Sequence, residues 1–378
     1  MIEVQVYHLS DKVFNEQCKT EQNKINLDEI IPLDSKYKEK IDDVKNKYVS
    51  STVVNNTYTI IANTGFFTGI KDFVYAQLPL LLLFIISESQ ISVKKIIINN
   101  PPDRVYQAFV DHPNQFLIQN ILRKSYELDK NLIMKIKKDL NDRIVGQKSV
   151  KKRILVNLVK YLYSNDTSPL VLAFIGPQGV GKTEVAKVLS DSLFKKGNLF
   201  REQMSMLTNG ASQDYLFGSD PSSKSFSKSL LQRKSDVLLL DEFNLVNPNF
   251  YGAFYQLFDE GNFIDGYYTV SLKKAIIICT ANFMSKKEML EYLGAPLYSR
   301  FTDICVFDSL SVQDYLKISK LKLDEKLKKI KPEYSAEIDR EAILNKIRNI
   351  EMFSDARNLD HILDQLIALE ISKKEGII

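Results

Sequence analysis

Residues 172–183 read Leu172-Ala173-Phe174-Ile175-Gly176-Pro177-Gln178-Gly179-Val180-Gly181-Lys182-Thr183. Four apolar residues run into a glycine-rich turn that ends on Lys-Thr, and "KTEVAKVLSDSLF" continues with helical spacing. Gly176-x-x-x-x-Gly181-Lys182-Thr183 thus has the phosphate-loop spacing, in the strand–turn–helix context that pattern requires. Glycines let successive backbone N–H groups curl around a phosphate, and the following helix N-terminus adds its partial positive charge. The loop from Gly176 through Pro177, Gln178, Gly179 and Val180 to Gly181 is therefore expected to cradle the phosphates. Lys182 would reach the outer phosphates, and the Thr183 hydroxyl would ligate Mg²⁺.

Two further strand ends answer to this loop. Val237-Leu238-Leu239-Leu240-Asp241-Glu242 is an apolar run that delivers two acids to its C-terminal edge, where ligands bind in parallel sheets. Asp241 suits the Mg²⁺ shell, and Glu242 suits a general base acting on water. A protein that only senses a nucleotide has no use for the second acid, whereas one that hydrolyses ATP does. "KKAIIICTANF" is a third buried run, ending in Asn282, an amide able to orient the attacking water.

Working outward, strand and helix signals alternate from about residue 140 to 307: "LVLAFIG", "VAKVLSDSLF", "VLLLDE", "FYGAFYQLFD", "AIIICTAN", "DICVF". Short, almost wholly apolar strands separated by helices imply an α/β fold, a parallel sheet covered on both faces. Residues 308–378 are Lys-rich with periodic Leu and Ile and read as a small helical domain. Residues 1–135 read as a separate small α/β domain that binds a partner or substrate. There "STVVNNTYTIIANTG" and "SVKKIIINNPPD" predict strands, and "NQFLIQNILRKSYELDKNLIMKIKKDL" predicts helix. The expected division is thus 1–135, 136–307 and 308–378.

The chain has 378 residues, 44% hydrophobic and 26% charged, with a net charge of +4 that permits a nucleic-acid partner without indicating one. Its three cysteines, Cys18, Cys279 and Cys305, offer neither a disulfide framework nor a zinc spacing, which points to a reducing, cytoplasmic setting. The most lipid-like stretch, Phe73 to Ile86, contains Gln77 and Pro79 and is shorter than the ~20 residues a spanning helix needs, so no membrane partner is expected.

With these motifs in order, residues 140–378 resemble the AAA+ ATPases, and within them the Clp-type unfoldase and disaggregase clade. "RIVGQKSV" resembles the clade's opening box, which implies that Ile144 and Val145 line the adenine pocket. "LLLDEFNLVNPNFYGAFYQLFDEGNFIDG" resembles its Walker B block, and "APLYSRFTDICVF" the segment that places an arginine finger at Arg300. "FSDARNLDHIL" resembles the sensor 2 helix, which implies that Arg357 touches the γ-phosphate. In such rings the finger enters the neighbouring subunit's site, so the resemblance implies a homo-oligomer, a hexamer, with ATP and Mg²⁺ as cofactors. It also implies a pore loop that grips polypeptide, for which Tyr215-Leu216-Phe217-Gly218 is the nearest match; "FIDGYYTVSL" places Tyr267 and Tyr268 where a second loop would be. The tripeptide with which clade members dock a ring peptidase is missing between Asn282 and Arg300, so no such partner is expected. The reading is an ATP-driven motor that remodels a protein, with catalysis by Lys182, Glu242, Asn282, Arg300 and Arg357. The alternatives are a regulator that assembles on nucleic acid, for which "KLKLDEKLKKIK" and Lys151-Lys152-Arg153 speak thinly, and an ATP-gated scaffold.

Overall fold

A computed structural model describes residues 1–31, 37–49, 57–121, 123, 125–207, 211–335, 338–348 and 356–377. Its strands are β1 (Ile2–Tyr7), β2 (Lys24–Asn26), β3 (Thr57–Ala62), β4 (Ser92–Asn99), β5 (Phe116–Ile121), β6 (Leu170–Ile175), β7 (Phe200–Gln203), β8 (Val237–Asp241), β9 (Asn262–Ile264), β10 (Thr269–Ser271), β11 (Ile276–Ala281) and β12 (Asp303–Val306). Contacts divide the chain into two compact units that interleave along the sequence, where a contiguous division was expected. One comprises Met1–Ser125, Met206–Lys234 and Asn249–Lys274, and the other comprises Tyr126–Ser205, Ser235–Pro248 and Ala275–Ile378.

The second unit carries the phosphate loop. Its sheet is wholly parallel in the order β12-β6-β11-β8-β7. Every residue of β6, β8 and β11 is buried, the pattern of strands covered by helices on both faces. Leu172, Phe174, Leu239 and Ile278 share one core with Val185, Ala186 and Leu189 of the helix Lys182–Leu193 and with Ile154 and Leu158 of the helix Lys148–Leu162. The helical C-terminal part, Val312–Leu327, Arg340–Arg348 and Ala356–Lys374, has its own core around Leu323, Ile343, Leu359 and Leu363. Within the Lys-rich stretch from Lys320, Lys322 pairs with Asp360 and Lys326 with Asp364, so part of that charge is spent on holding two helices together.

The first unit is built on a second all-parallel sheet, β2-β3-β4-β1-β5. Of the stretch "NQFLIQNILRKSYELDKNLIMKIKKDL", expected to be helical, Lys130–Arg143 is helix, whereas β5 occupies Phe116–Ile121 and pairs with β1 along its full length. A short apolar run fits either period, and an open sheet edge beside β1 decides between them. The lipid-like stretch folds into the helices Asp72–Tyr75 and Leu78–Ser89, with Pro79 in a first turn where its missing N–H costs nothing. Leu78, Leu82 and Ile85 are buried and Leu80 and Phe84 exposed, so this helix covers the sheet with one face. No helix among the described residues is long and apolar enough to cross a membrane.

This unit also holds Met206–Lys234 and Asn249–Lys274. The Asp103 carboxylate accepts from the Thr269 N–H (3.0 Å) and hydroxyl (2.7 Å), and the Asp103 N–H donates to the Tyr267 carbonyl (2.8 Å). Gln232 accepts from the Asp11 N–H and donates to its carboxylate, 2.9 Å each way. The C-terminal edge of the N-terminal sheet, where such sheets bind ligands, is thus closed by the chain's own later segments.

Candidate nucleotide site

Gly176 ends β6 at φ +136°, and a Cβ there would stand 2.5 Å from the Phe307 carbonyl oxygen. Only glycine allows β6 and the end of β12 to approach so closely, with the Phe307 N–H donating to the Ile175 carbonyl at 2.7 Å. Gly179 (φ +72°) and Gly181 (φ +100°) take the left-handed turns that bring the chain into the helix Lys182–Leu193. Lys182 is buried, and its ammonium donates to the carbonyls of Gly176 (2.5 Å) and Pro177 (2.8 Å) and to Asn282 Oδ1 (3.0 Å). The loop lysine and the strand-tip amide therefore meet directly, though 100 residues apart.

A cavity of about 840 Å³ opens beside them. Gln178, Gly179, Val180, Gly181, Lys182 and Thr183 line it, as do Asp241, Glu242 and Asn282. Ile144 and Val145 line it as well, together with Leu310, Ile318 and Leu321, an apolar end suited to a flat base. Gln147, itself at φ +51°, fixes that end: its amide donates to the Asp308 carbonyl (2.8 Å) and accepts the Asp308 N–H (3.1 Å). Lys151 donates to the Ile144 carbonyl (2.6 Å), and burial pushes its ammonium pKa down.

The two acids are held differently. Asp241 is buried at the end of β8, and the Thr280 hydroxyl donates to its Oδ1. Arg201 donates to its Oδ2 through Nε (3.1 Å) and Nη2 (2.6 Å). Glu242 sits at φ +58°, uncommon for a non-glycine residue and characteristic of functional turns. Its N–H donates to Thr280 Oγ1 (3.0 Å), and Gln203 donates to its carboxylate. The donor set suits Mg²⁺: Thr183 and Asp241 line the same cavity. Mg²⁺ is usually bound in this way, by one or two protein oxygens together with substrate phosphates.

Residues 168–339 match the family model for the AAA domain (Cdc48 subfamily), and residues 123–208 match the Torsin model. Residues 168–339 of this chain thus form an AAA domain. It is similar to the chaperone protein ClpB of Malacoplasma penetrans, 27% identical over 295 residues, which cover 71% of this chain and 41% of that protein. ClpB of Chlamydia caviae is 26% identical over 293 residues, covering 67% of this chain and 33% of that protein. The chain therefore spans less than half the length of these relatives. A closed-state reconstruction of Hsp104 with ATPγS and FITC-casein shares the fold, with a TM-score of 0.55 at 15% identity, covering all of this chain and 88% of that one.

The remaining residues singled out in the sequence lie elsewhere. Arg300 does not line the cavity; it is half-buried, with its guanidinium donating to the Pro296 carbonyl. Arg357 is in the first turn of the helix Ala356–Lys374, three residues before the cavity-lining Asp360, and its side chain lies outside the described residues. The stretch containing Tyr215, Leu216 and Phe217 was expected to be a loop, and in the structure it ends the short helix Ala211–Phe217. Leu216 is buried, Tyr215 packs its ring 6.2 Å from Phe226, and Phe217 is 40% exposed. Gly218 follows at φ +71°, and the Phe217 carbonyl accepts the Gly266 N–H (2.8 Å), joining this element to the β9–β10 turn. There Tyr268 is buried and Tyr267 packs against the core of the N-terminal sheet.

Arg201, Gln203 and Thr280 were missed in the sequence. Thr280 stands two residues before Asn282 on β11, and "FREQ" alternates polar side chains two residues apart, but neither pattern is distinctive without the strand register.

Proposed function

We propose that this chain hydrolyses ATP and uses the cycle to remodel a protein partner as an oligomeric ring. The observation that carries the reading is the convergence of Lys182, Asn282, Asp241 and Glu242 on one cavity at the C-terminal edge of a parallel sheet. The loop holds the phosphates, and Thr183 and Asp241 would hold Mg²⁺, which neutralises charge developing on them. Glu242 takes the proton of the attacking water, and Asn282 orients that water. Arg300, which does not line its own cavity, fits a finger offered to a neighbouring subunit. Arg357 would report the γ-phosphate to the helical domain. ClpB is a chaperone by name and the Hsp104 structure was solved with a casein, which supports a polypeptide client here. Phe217 is the exposed aromatic best suited to grip it. No ring-peptidase partner is part of this reading.

The nucleic-acid reading has one observation in its favour. A groove on the second unit is lined by Lys137, Lys148, Lys151, Lys152, Lys317 and Lys320. Asp142, Asp314 and Asp324 line the same groove and would repel a phosphate backbone, so the protein-client reading stands ahead of it. Steady-state ATP hydrolysis with unfolded casein, with single-stranded DNA and with neither separates them. Stimulation by casein alone is the expected result; stimulation by DNA alone, or by neither, overturns it in favour of the regulator or the scaffold.

A further inference from the structure

We propose that Arg201 is a positioning residue for the metal-binding carboxylate, one that leaves Asp241 a single oxygen to offer Mg²⁺. The proposal rests on the reading that Mg²⁺ accompanies the nucleotide at Asp241.

The geometry begins with strand register. β7 and β8 pair in parallel with Gln203 opposite Asp241, and Arg201 lies two residues earlier, on the same face of the sheet as Gln203. Arg201 is not among the residues that line the cavity, so its effect on a bound cation runs through Asp241. An ionised carboxylate offers about four lone-pair directions. The guanidinium spends two N–H groups on Oδ2, at 3.1 and 2.6 Å, and the Thr280 hydroxyl spends one on Oδ1. What remains is one direction on Oδ1, enough for a metal ion or a metal-bound water and too little for two-oxygen chelation.

Two consequences follow from chemistry alone. The Asp241 side chain is almost wholly buried, and with both oxygens held its rotamer is fixed before any ligand arrives. One-oxygen coordination also suits the small octahedral Mg²⁺, which keeps several waters, over the larger Ca²⁺, which takes bidentate carboxylates readily. A lysine at 201 would supply charge without the planar fork that occupies both lone pairs of one oxygen.

The test is Mg²⁺-dependent binding of a fluorescent ATP analogue to the full chain, titrated from EDTA upward, in wild type, Arg201→Met and Arg201→Lys. Loss of an outer-shell partner of this kind typically weakens metal affinity by about 10–100-fold. Arg201→Met should therefore raise the Mg²⁺ midpoint by at least about tenfold while leaving metal-free nucleotide affinity within about twofold, because Arg201 does not reach the nucleotide pocket. Arg201→Lys should fall between wild type and Met, and serves as the reading should Arg201→Met fail to fold. The same titrations with Ca²⁺ should show the discrimination between the two ions shrinking in Arg201→Met. An unchanged Mg²⁺ midpoint overturns the proposal, and so does a lower one, which would make Arg201 a competitor of the cation. A wild type whose nucleotide binding ignores Mg²⁺ overturns the Mg²⁺ reading itself, a result distinct from failure of the Arg201 proposal alone.

Discussion

Gly176→Ala is the substitution with the sharpest geometric consequence. The added methyl would lie 2.5 Å from the Phe307 carbonyl oxygen, 3.1 Å from its Cβ and 3.2 Å from its carbonyl carbon. The nearest atom is backbone, so relief requires β6 and the end of β12 to part rather than a side chain to rotate. Overpacking of this kind costs about 1–3 kcal/mol, and a non-glycine residue at φ +136° adds about 1–3 kcal/mol of backbone strain. Taken together, about 4 kcal/mol is a fair centre, equivalent to about 8–16 °C in Tm for a folded unit of 150–250 residues. Gly181→Ala and Gly197→Ala separate the two contributions, since both have positive φ, +100° and +81°, and neither Cβ would meet an atom within 4 Å. They should lose only the strain contribution, about 2 kcal/mol at its centre or ~4–8 °C by the same scaling. Thermal unfolding of the three variants by calorimetry decides the matter. A Gly176→Ala Tm no lower than those of the other two would refute the close-approach argument.

Further outcomes follow from individual contacts. Removing the Asp103 carboxylate frees Thr269, and for an exposed charged hydrogen bond worth about 1 kcal/mol, Asp103→Ala should speed hydrogen exchange of the Thr269 amide about fivefold; no change would show that the hairpin is held by other contacts. Burial raises the Asp303 pKa, but hydrogen bonds from Arg153 and Asn157 and the nearby Arg153 charge outweigh it, leaving the native carboxyl below its usual value. Its contribution is therefore full above the unfolded carboxyl's pKa of about 3.9 and is lost as pH falls through the native value. Asp303→Asn should accordingly be less stable than wild type at neutral pH and converge on it in acid, measured by urea unfolding across pH. Burial pushes the Cys305 thiol up to about 12 and the Cys279 thiol well above its ordinary value, so neither should react with iodoacetamide at pH 8 until the chain unfolds; rapid native labelling at either would contradict their burial.

The parts of the site that could be read in the sequence share one property: the chemistry forces several residues to be contiguous. Gly176 to Thr183 must be one loop to wrap a phosphate, and Asp241 and Glu242 must end one apolar strand. Asn282 became informative only because "AIIICTAN" is buried on both faces and must therefore lie inside the same sheet. Arg201, Gln203 and Thr280 stayed hidden because each acts across a strand pairing, and register cannot be read from one strand alone. The helix expected over 114–140 gave way to β5 at Phe116–Ile121 for a related reason, since an open edge beside β1 is a property of the fold rather than of that segment. The closure of the N-terminal sheet by Gln232 and Thr269 joins residues more than 160 apart, which no local pattern carries.

The central claim is that this cavity hydrolyses ATP with Glu242 as the base. Steady-state hydrolysis and nucleotide affinity of Glu242→Gln against wild type test it most directly, because the amide keeps the shape and the contact with Gln203 while losing basicity. Loss of a general base costs about 10²–10⁴ in rate, so turnover should fall by at least about 100-fold while ATP affinity is retained. Turnover within a few-fold of wild type would contradict the account and move hydrolysis away from this carboxylate.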